Sequence, residues 1–403
     1  MINNQSQSKI YSDRNLQIVI GITLMAILGS SSIGPVLPTM AADLNIPHEQ
    51  IGLVITAFVI PIAIGTPISG VLADRFGRKQ ILIPALILFA IAGVACAFAA
   101  NFRALLELRF LQGIGAAPLE SLALTLISDL YAGKRLTAAM AFNASAIGIS
   151  LALYPLISGS LTTFGWYYPF LLPIAAIPIA FLALFVLKIP QLPKHKDFKL
   201  KNYWLDIGRS INNRQAIGSL CGVIGLFVLL FGPYFTYIPI FASDNLGASA
   251  VAIGIVQASM ALSLAFVSSQ IALFPQYLSE ITLIKVSFLV YSLALIIIPL
   301  VNNVWLLFIP SVLFGAAHGM SFPSTQALLG QLAPDGSKAG FMAVNATVLS
   351  LAQALGPLFA GGAFLVWGIN GVFLTGASFA IAAFLLLSKI FASKSNSSNF
   401  NWH

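Results

Sequence analysis

The stretch Gly70-Val71-Leu72-Ala73-Asp74-Arg75-Phe76-Gly77-Arg78-Lys79 sets four ionic side chains into positions 74–79, between two apolar runs at 50–73 and 81–100. The hydrocarbon core of a bilayer, about 30 Å thick, takes roughly 20 apolar residues in helical form. Both runs reach that length, so the charged stretch reads as a tight loop between two membrane spans. Outward from it the pattern repeats. Further apolar runs lie near 17–41, 104–130, 136–161 and 166–188, then 216–242, 248–274, 281–301, 303–332, 339–365 and 370–391. That makes twelve spans, and Gly and Pro within them are tolerated because neighbouring helices satisfy the freed backbone groups. Composition agrees: of 403 residues, 58% are hydrophobic and 8% charged, where a soluble domain carries roughly a quarter charged. A soluble enzyme and a disordered chain are excluded, and the expected fold class is an all-α membrane protein.

The basic residues give the topology. Lys9 and Arg14 precede the first run. Alternate loops then carry Arg75, Arg78 and Lys79; Lys134 and Arg135; Lys188 through Arg214; Lys285; and Lys338, with Lys389 and Lys394 after the last run. Eighteen of the 20 Lys and Arg thus fall on one side, the exceptions being Arg103 and Arg109. By the positive-inside rule both termini are expected in the cytoplasm, with an even number of spans crossing the cytoplasmic (inner) membrane. The net charge of +8 therefore serves topology, and no nucleic-acid partner is expected. The polar first sixteen residues precede a run too long for a signal-peptide core, so no cleaved leader is expected. Cys96 and Cys221 give no disulfide framework, and His48, His195, His318 and His403 have no metal-ligand spacing. No metal and no cofactor are expected.

Near the midpoint the rhythm breaks. Residues 189–213 are polar, basic and long, which predicts a cytoplasmic linker between two six-helix halves, 1–188 and 214–403. Its segment Tyr203–Ile211 is either a surface-lying amphipathic stretch or plain solvated chain. A shift of 202 residues lays MAFNASAIGISLALYPLISG (140–159) on MAVNATVLSLAQALGPLFAG (342–361) with nine identities, the scarce Asn143/Asn345 and Pro155/Pro357 pairs among them. Spans five and eleven are then equivalent, and the halves form two pseudo-symmetric six-helix bundles. Transporters built from parallel repeats place substrate near the membrane midplane between the halves.

The loop quoted at the outset resembles the signature G-x-x-x-D-R-x-G-R-[KR] between helices two and three of the major facilitator superfamily, matched here in full. Gly70 is expected to let two helices approach closely. The resemblance implies a conformational switch built from Gly70, Asp74, Arg75, Gly77 and Arg78. In the family, the aspartate at position 74 meets the start of helix eleven, and the arginine at 78 pairs with an acid ending helix four, here Asp129. Span four, Arg109-Phe110-Leu111-Gln112-Gly113-Ile114-Gly115-Ala116-Ala117, is similar to the family's helix-four motif, which is associated with proton coupling. An arginine within a span is costly unless it faces partners or water. At about 100° per residue, Arg109, Gln112, Gly113, Ala116 and Glu120 share one face. Glu120 stands roughly 16 Å along the axis from Arg109, the one acid deep within a span. It reads either as a carboxyl that loads and releases a proton near neutral pH, with Arg109 tuning it, or as a structural carboxyl bonded to a neighbouring helix.

The family's helix-five antiporter motif, G-x-x-x-G-P-x-x-G-G, is partial here. Its positions hold Ser150, Tyr154, Pro155, Ser158 and Gly159, whereas span eleven holds a fuller copy in Ala352, Gly356, Pro357, Ala360 and Gly361. Pro155, Gly159, Gly356 and Pro357 are the expected helix-packing positions. Span one, where many of the family's drug exporters carry an acid, has none. The family fold lines its cavity with spans one, four, seven and ten, which makes Gln112, Phe227, Phe231, Tyr234 and His318 candidate substrate contacts. An aromatic stripe equally suits helix packing, and His318 suits either titration or a neutral bond to backbone. Gln257, Asn143, Asn345 and Gln353 are cavity groups or interhelical glue.

The resemblance closest in outline is to the twelve-span drug:proton antiporter group. It implies a secondary active transporter that moves a small amphiphilic solute by alternating access, with proton-coupled efflux as the mode. A facilitator or proton symporter for a sugar or other metabolite is the competing reading. No G-x-x-x-x-G-K-[ST] loop provides for ATP drive, and no enzyme chemistry is expected. The partners are substrate, protons and the bilayer, and two fused halves make a monomer sufficient.

Overall fold

The computed structural model describes residues 12–189, 214–273, 279–332 and 338–392. Of the linker expected at 189–213, residues 190–213, with Tyr203–Ile211, lie outside the described residues. Among those described, every regular element is helical. The membrane-length helices are α1 (Arg14–Asp43), α2 (Leu53–Phe76), α3 (Arg78–Cys96), α4 (Phe102–Leu130), α5 (Gly133–Thr162), α6 (Tyr168–Phe185), α7 (Arg214–Leu246), α8 (Ala250–Leu273), α9 (Glu280–Leu300), α10 (Val304–Leu332) and α11 (Lys338–Ala392). They are apolar on the outside as well as within: Ile64, Ile91, Phe181, Phe185 and Leu365 are all more than half exposed, as suits side chains solvated by lipid. The chain is a multi-pass membrane protein.

Local chemistry sets the ends. Asp13 caps α1 by accepting from the Asn15 N–H at 2.9 Å, Asn101 caps α4 through Ala104 N–H at 2.9 Å, and Ser279 caps α9 through Thr282 N–H at 3.2 Å. Gly77 separates α2 from α3 at φ 108°, a conformation that strains any residue with a Cβ. α1 is broken after Ser31 by a 3-10 turn, Gly34–Val36, where Pro35 cannot donate. α7 widens into a π-helical stretch over Leu230–Tyr237 around Pro233, and Thr236 Oγ1 donates to the Phe231 carbonyl at 2.6 Å.

The runs 339–365 and 370–391 fall within α11, where two helices meet at a kink at Gly368 (φ 67°, ψ −169°), a conformation that strains any residue with a Cβ.

The chain forms two compact units, Met1–Asp197 with Ala248–Ala258, and Phe198–Gly247 with Ser259–His403. In the first, α4 packs against α1, α2 and α3. Glycines set the spacing: a Cβ on Gly113 would collide with the Phe58 carbonyl, and one on Gly115 would lie 2.6 Å from Phe89 N. The start of α8 joins this unit although the span count places it in the second half. Gly159 lies against the Ala250 carbonyl, and Gly254 against that of Pro155. In the second unit α7 packs on α11, where a Cβ on Gly356 would meet Gly232 N at 2.8 Å.

Candidate functional site

α4 carries the centre of the first unit. Arg109 is 1% exposed, and each nitrogen of its guanidinium donates a hydrogen bond. Nη1 donates to Gln112 Oε1 at 2.8 Å, Nη2 to the Gly29 carbonyl at 2.9 Å, and Nε to the Val54 carbonyl at 3.2 Å. The carbon between them lies 4.2 Å from the centre of the Phe58 ring, a cation–π distance. A buried cation thus ties α1, α2 and α4 together through neutral acceptors alone. Gly29 is adjacent to the break in α1, and Gln112 stands one turn from Arg109, as the i, i+3 spacing predicts. A void of about 10 Å³, roughly the room one water needs, is bounded by Arg109, Gln112, Ser32 and Pro173.

Glu120 lies on the same face of α4 but is not part of this cluster. Its side chain is exposed, and among the described residues it has no hydrogen-bond or ion-pair partner. The expected tuning of Glu120 by Arg109 therefore has no contact behind it: eleven residues of helix, about 16 Å, separate a guanidinium bonded at each nitrogen from an open carboxyl.

At the charged end of the unit, Arg78 holds two acids. Its Nη1 lies 2.5 Å from Asp74 Oδ1, and its Nε 3.1 Å from Asp129 Oδ2. Asp129 is 13% exposed and Asp74 60%, so the pair with Asp129 is the better shielded. The expected Arg78–Asp129 pairing is present. Arg75 is exposed and covers the Phe76 ring at 5.4 Å. Gly70 departs from expectation: a Cβ there would meet nothing within 4 Å, so no close helix contact requires glycine at that position in this structure.

α5 is bonded to α1 along its length. Thr23 Oγ1 donates to Asn143 Oδ1 at 2.7 Å, Tyr154 OH to the Leu24 carbonyl at 3.0 Å, and Ser158 Oγ to the Ser32 carbonyl at 2.5 Å. Tyr154, which stands where the helix-five motif has glycine, replaces a close backbone contact with a hydrogen bond. Asn143 is glue, as is Asn345, whose Nδ2 donates to Gln326 at 2.8 Å. Gln257 is 1% exposed, lies against Gly34, and has neither amide atom hydrogen-bonded.

In the second unit the expected substrate residues form two aromatic clusters. Phe227 meets His318 edge-on at 5.7 Å and Phe231 at 6.4 Å between ring centres, and His318 stacks on Phe322 at 5.8 Å. Tyr234 stacks on Phe314 at 4.5 Å. Tyr291 joins the clusters, with its ring 4.6 Å from Phe314 and its hydroxyl 2.6 Å from His318 Nδ1. Gln112, Phe227, Phe231, Tyr234 and His318 are all buried, so none faces open space here. Sequence reasoning missed Tyr291, which has no motif around it; only its spacing on α9 could have drawn notice.

Two segments of the chain, residues 19–280 and 279–401, match the family model of the Major Facilitator Superfamily. The chain belongs to that superfamily. It is therefore a transporter and not an enzyme. Quinolone resistance protein NorA of Staphylococcus aureus (strain COL) is 27% identical over 90% of this chain and 93% of its own length. Multidrug resistance protein 2 of Bacillus subtilis (strain 168) is 25% identical over 94% of this chain and 95% of its own. The bacillibactin exporter of the same organism is 33% identical, over 39% of this chain and 41% of its own length. Among solved structures, an inward-facing bacterial homologue of the lysosomal transporter Spinster superposes with a TM-score of 0.81 at 18% identity, covering 96% of this chain and 98% of that one, which is likeness of fold.

Proposed function

We propose that this superfamily member is a proton-coupled exporter of small amphiphilic solutes, working by alternating access in the cytoplasmic membrane. The observation that carries the reading is Glu120: an open carboxyl with no partner among the described residues, about 15 Å from the Leu130 end of α4, hence at bilayer depth. Such a group is a functional candidate by default. It is free to exchange protons because Arg109 is bound elsewhere. Export follows from the likeness to two resistance proteins and an exporter. In this account Arg109 positions α1 against α4 and acts on Glu120 only through helix placement, while Gln112, Phe227, Phe231, Tyr234 and His318 meet substrate in another conformation.

The same reading gives twelve crossings and two six-helix bundles. The 55 residues of α11 hold two helices that meet at Gly368; as one straight helix they would run about 80 Å, more than twice the hydrocarbon thickness, so in this reading the chain turns back there. The positive-inside pattern then sets both termini in the cytoplasm. Asp74, Arg75, Gly77, Arg78 and Asp129 act as the switch at that face, and a monomer suffices. Reconstituted protein in liposomes with an imposed pH gradient tests the coupling. Lipophilic dye is expected to move against the proton flux and to stop when the gradient is collapsed; dye movement unaffected by the gradient would favour a facilitator.

A further inference from the structure

A groove of about 300 Å³ runs between α1 and α6 in the first unit, a volume at the lower end of small-ligand sites. Ile18, Gly21, Ile179, Leu182 and Val186 form its walls, and Arg14 stands at its mouth. From Arg14 to Gly21 the groove follows seven residues of helix, about 10 Å, from the membrane boundary inward. Gly21 lets Ile179 approach α1 closely: a Cβ there would lie 3.3 Å from Ile179 Cδ1. A second cation lies near the mouth: the Lys188 backbone N–H donates to Asn15 Oδ1 at 3.0 Å, which brings Lys188 beside Arg14. Both Arg14 and Lys188 are exposed. The neighbouring acid, Asp13, is occupied by Asn15 N–H and lies 3.7 Å from Arg135.

An apolar slot opening at a cationic rim, on a lipid-facing surface, is complementary to one class of molecule. We propose that this groove is a binding site for an anionic phospholipid: one acyl chain lies against Gly21 between Ile18 and Ile179, and the phosphate is held by Arg14 and Lys188. The proposal rests on α1 and α6 spanning the bilayer and not on the direction or coupling of transport. It is therefore separable from the role given to Glu120.

The test uses the full chain in nanodiscs containing phosphatidylglycerol or phosphatidylcholine, each with a photoreactive group at mid-chain, and peptide mapping of the labelled sites. Phosphatidylglycerol is expected to label residues 179–186 and to be retained by the purified protein in native mass spectrometry. A cation near an anionic headgroup is worth about fivefold in binding, so Arg14→Gln with Lys188→Gln is expected to lower retention roughly twenty-five-fold. Gly21→Phe is expected to abolish labelling in the groove while the cations remain. Gly21→Leu serves if the phenylalanine variant fails to fold. Equal labelling by phosphatidylcholine, labelling spread evenly over all spans, or retention unchanged in both variants would overturn the site. So would cross-linking of Gly21→Cys to residues 190–213, which would make this chain's own linker the occupant.

Discussion

Arg109 on α4 donates from Nη2 to the carbonyl of Gly29 on α1 at 2.9 Å, 80 residues earlier in the chain. The bond fastens the helix that bears Glu120 to the helix that breaks at Gly34, and no carboxylate takes part. Arg109→Ala would take a donor from three buried acceptors, of which the Val54 carbonyl keeps its helical bond, at about 1–3 kcal/mol for each acceptor left unpaired before relaxation. It is expected to lower the thermal unfolding temperature by several degrees. Arg109→Lys cannot reproduce the planar fork and is expected to fall between the two. Fluorescence-detected unfolding of detergent-purified protein checks both. A wild-type unfolding temperature in Arg109→Ala would remove the scaffold role.

The two acids on Arg78 differ in shielding, and their variants should differ accordingly. Asp129→Asn is expected to destabilise the fold by about 1–3 kcal/mol, because a part-buried guanidinium loses its better-placed partner. Asp74→Asn is expected to cost less than about 1 kcal/mol. If Asp74 acts in the switch, its variant lowers transport while stability holds. Parallel transport and melting measurements separate these effects, and equal melting losses in the two variants would contradict the assignment.

Glycine replacements discriminate packing from function. Gly113→Ala must displace the Phe58 backbone and Gly159→Ala that of Ala250, so both are expected to reduce the yield of folded protein. Gly70→Ala meets open space and is expected to fold as wild type. Any transport defect it shows would then report a contact made in another conformation. Yields by size-exclusion chromatography give the comparison.

Much of the fold was legible because the bilayer imposes one rule on every span. The runs near 104–130 and 136–161 became α4 and α5 with their ends within a few residues, since hydropathy alone decides where lipid begins. The kink at Gly368 was not, because a single glycine between two apolar runs does not say how sharply the chain bends there. The π-helical turn of α7 was equally hidden. Its trace is Gly232-Pro233 inside an apolar run, where a missing N–H disturbs the ladder. In the site, Arg109 and Gln112 could be paired from i, i+3 spacing. Their other partners could not, since the carbonyls of Gly29 and Val54 carry no signature of side-chain type. Gly70 was misjudged for the opposite reason: a motif names a residue without saying in which conformation it is needed.

Tyr291 and His318 provide a test of the second unit. Tyr291→Phe keeps the ring contacts with Phe314 and leaves His318 Nδ1 without its 2.6 Å partner. A loss of about 1–2 kcal/mol is expected, together with altered preference among substrates if the aromatic clusters open to receive them. Melting temperature and competition between dyes measure the two parts. Unchanged values in both would mean that the hydroxyl contributes neither packing nor selectivity.

The most direct measurement is accumulation of lipophilic dyes and antibiotics in efflux-deficient cells expressing wild type or Glu120→Gln, with and without a protonophore. Membrane expression is matched by immunoblot. The account predicts that wild type lowers accumulation, and that the substitution and the protonophore each abolish the difference. Export by Glu120→Gln at the wild-type rate and still sensitive to protonophore would contradict it, because the proton would then travel by another group.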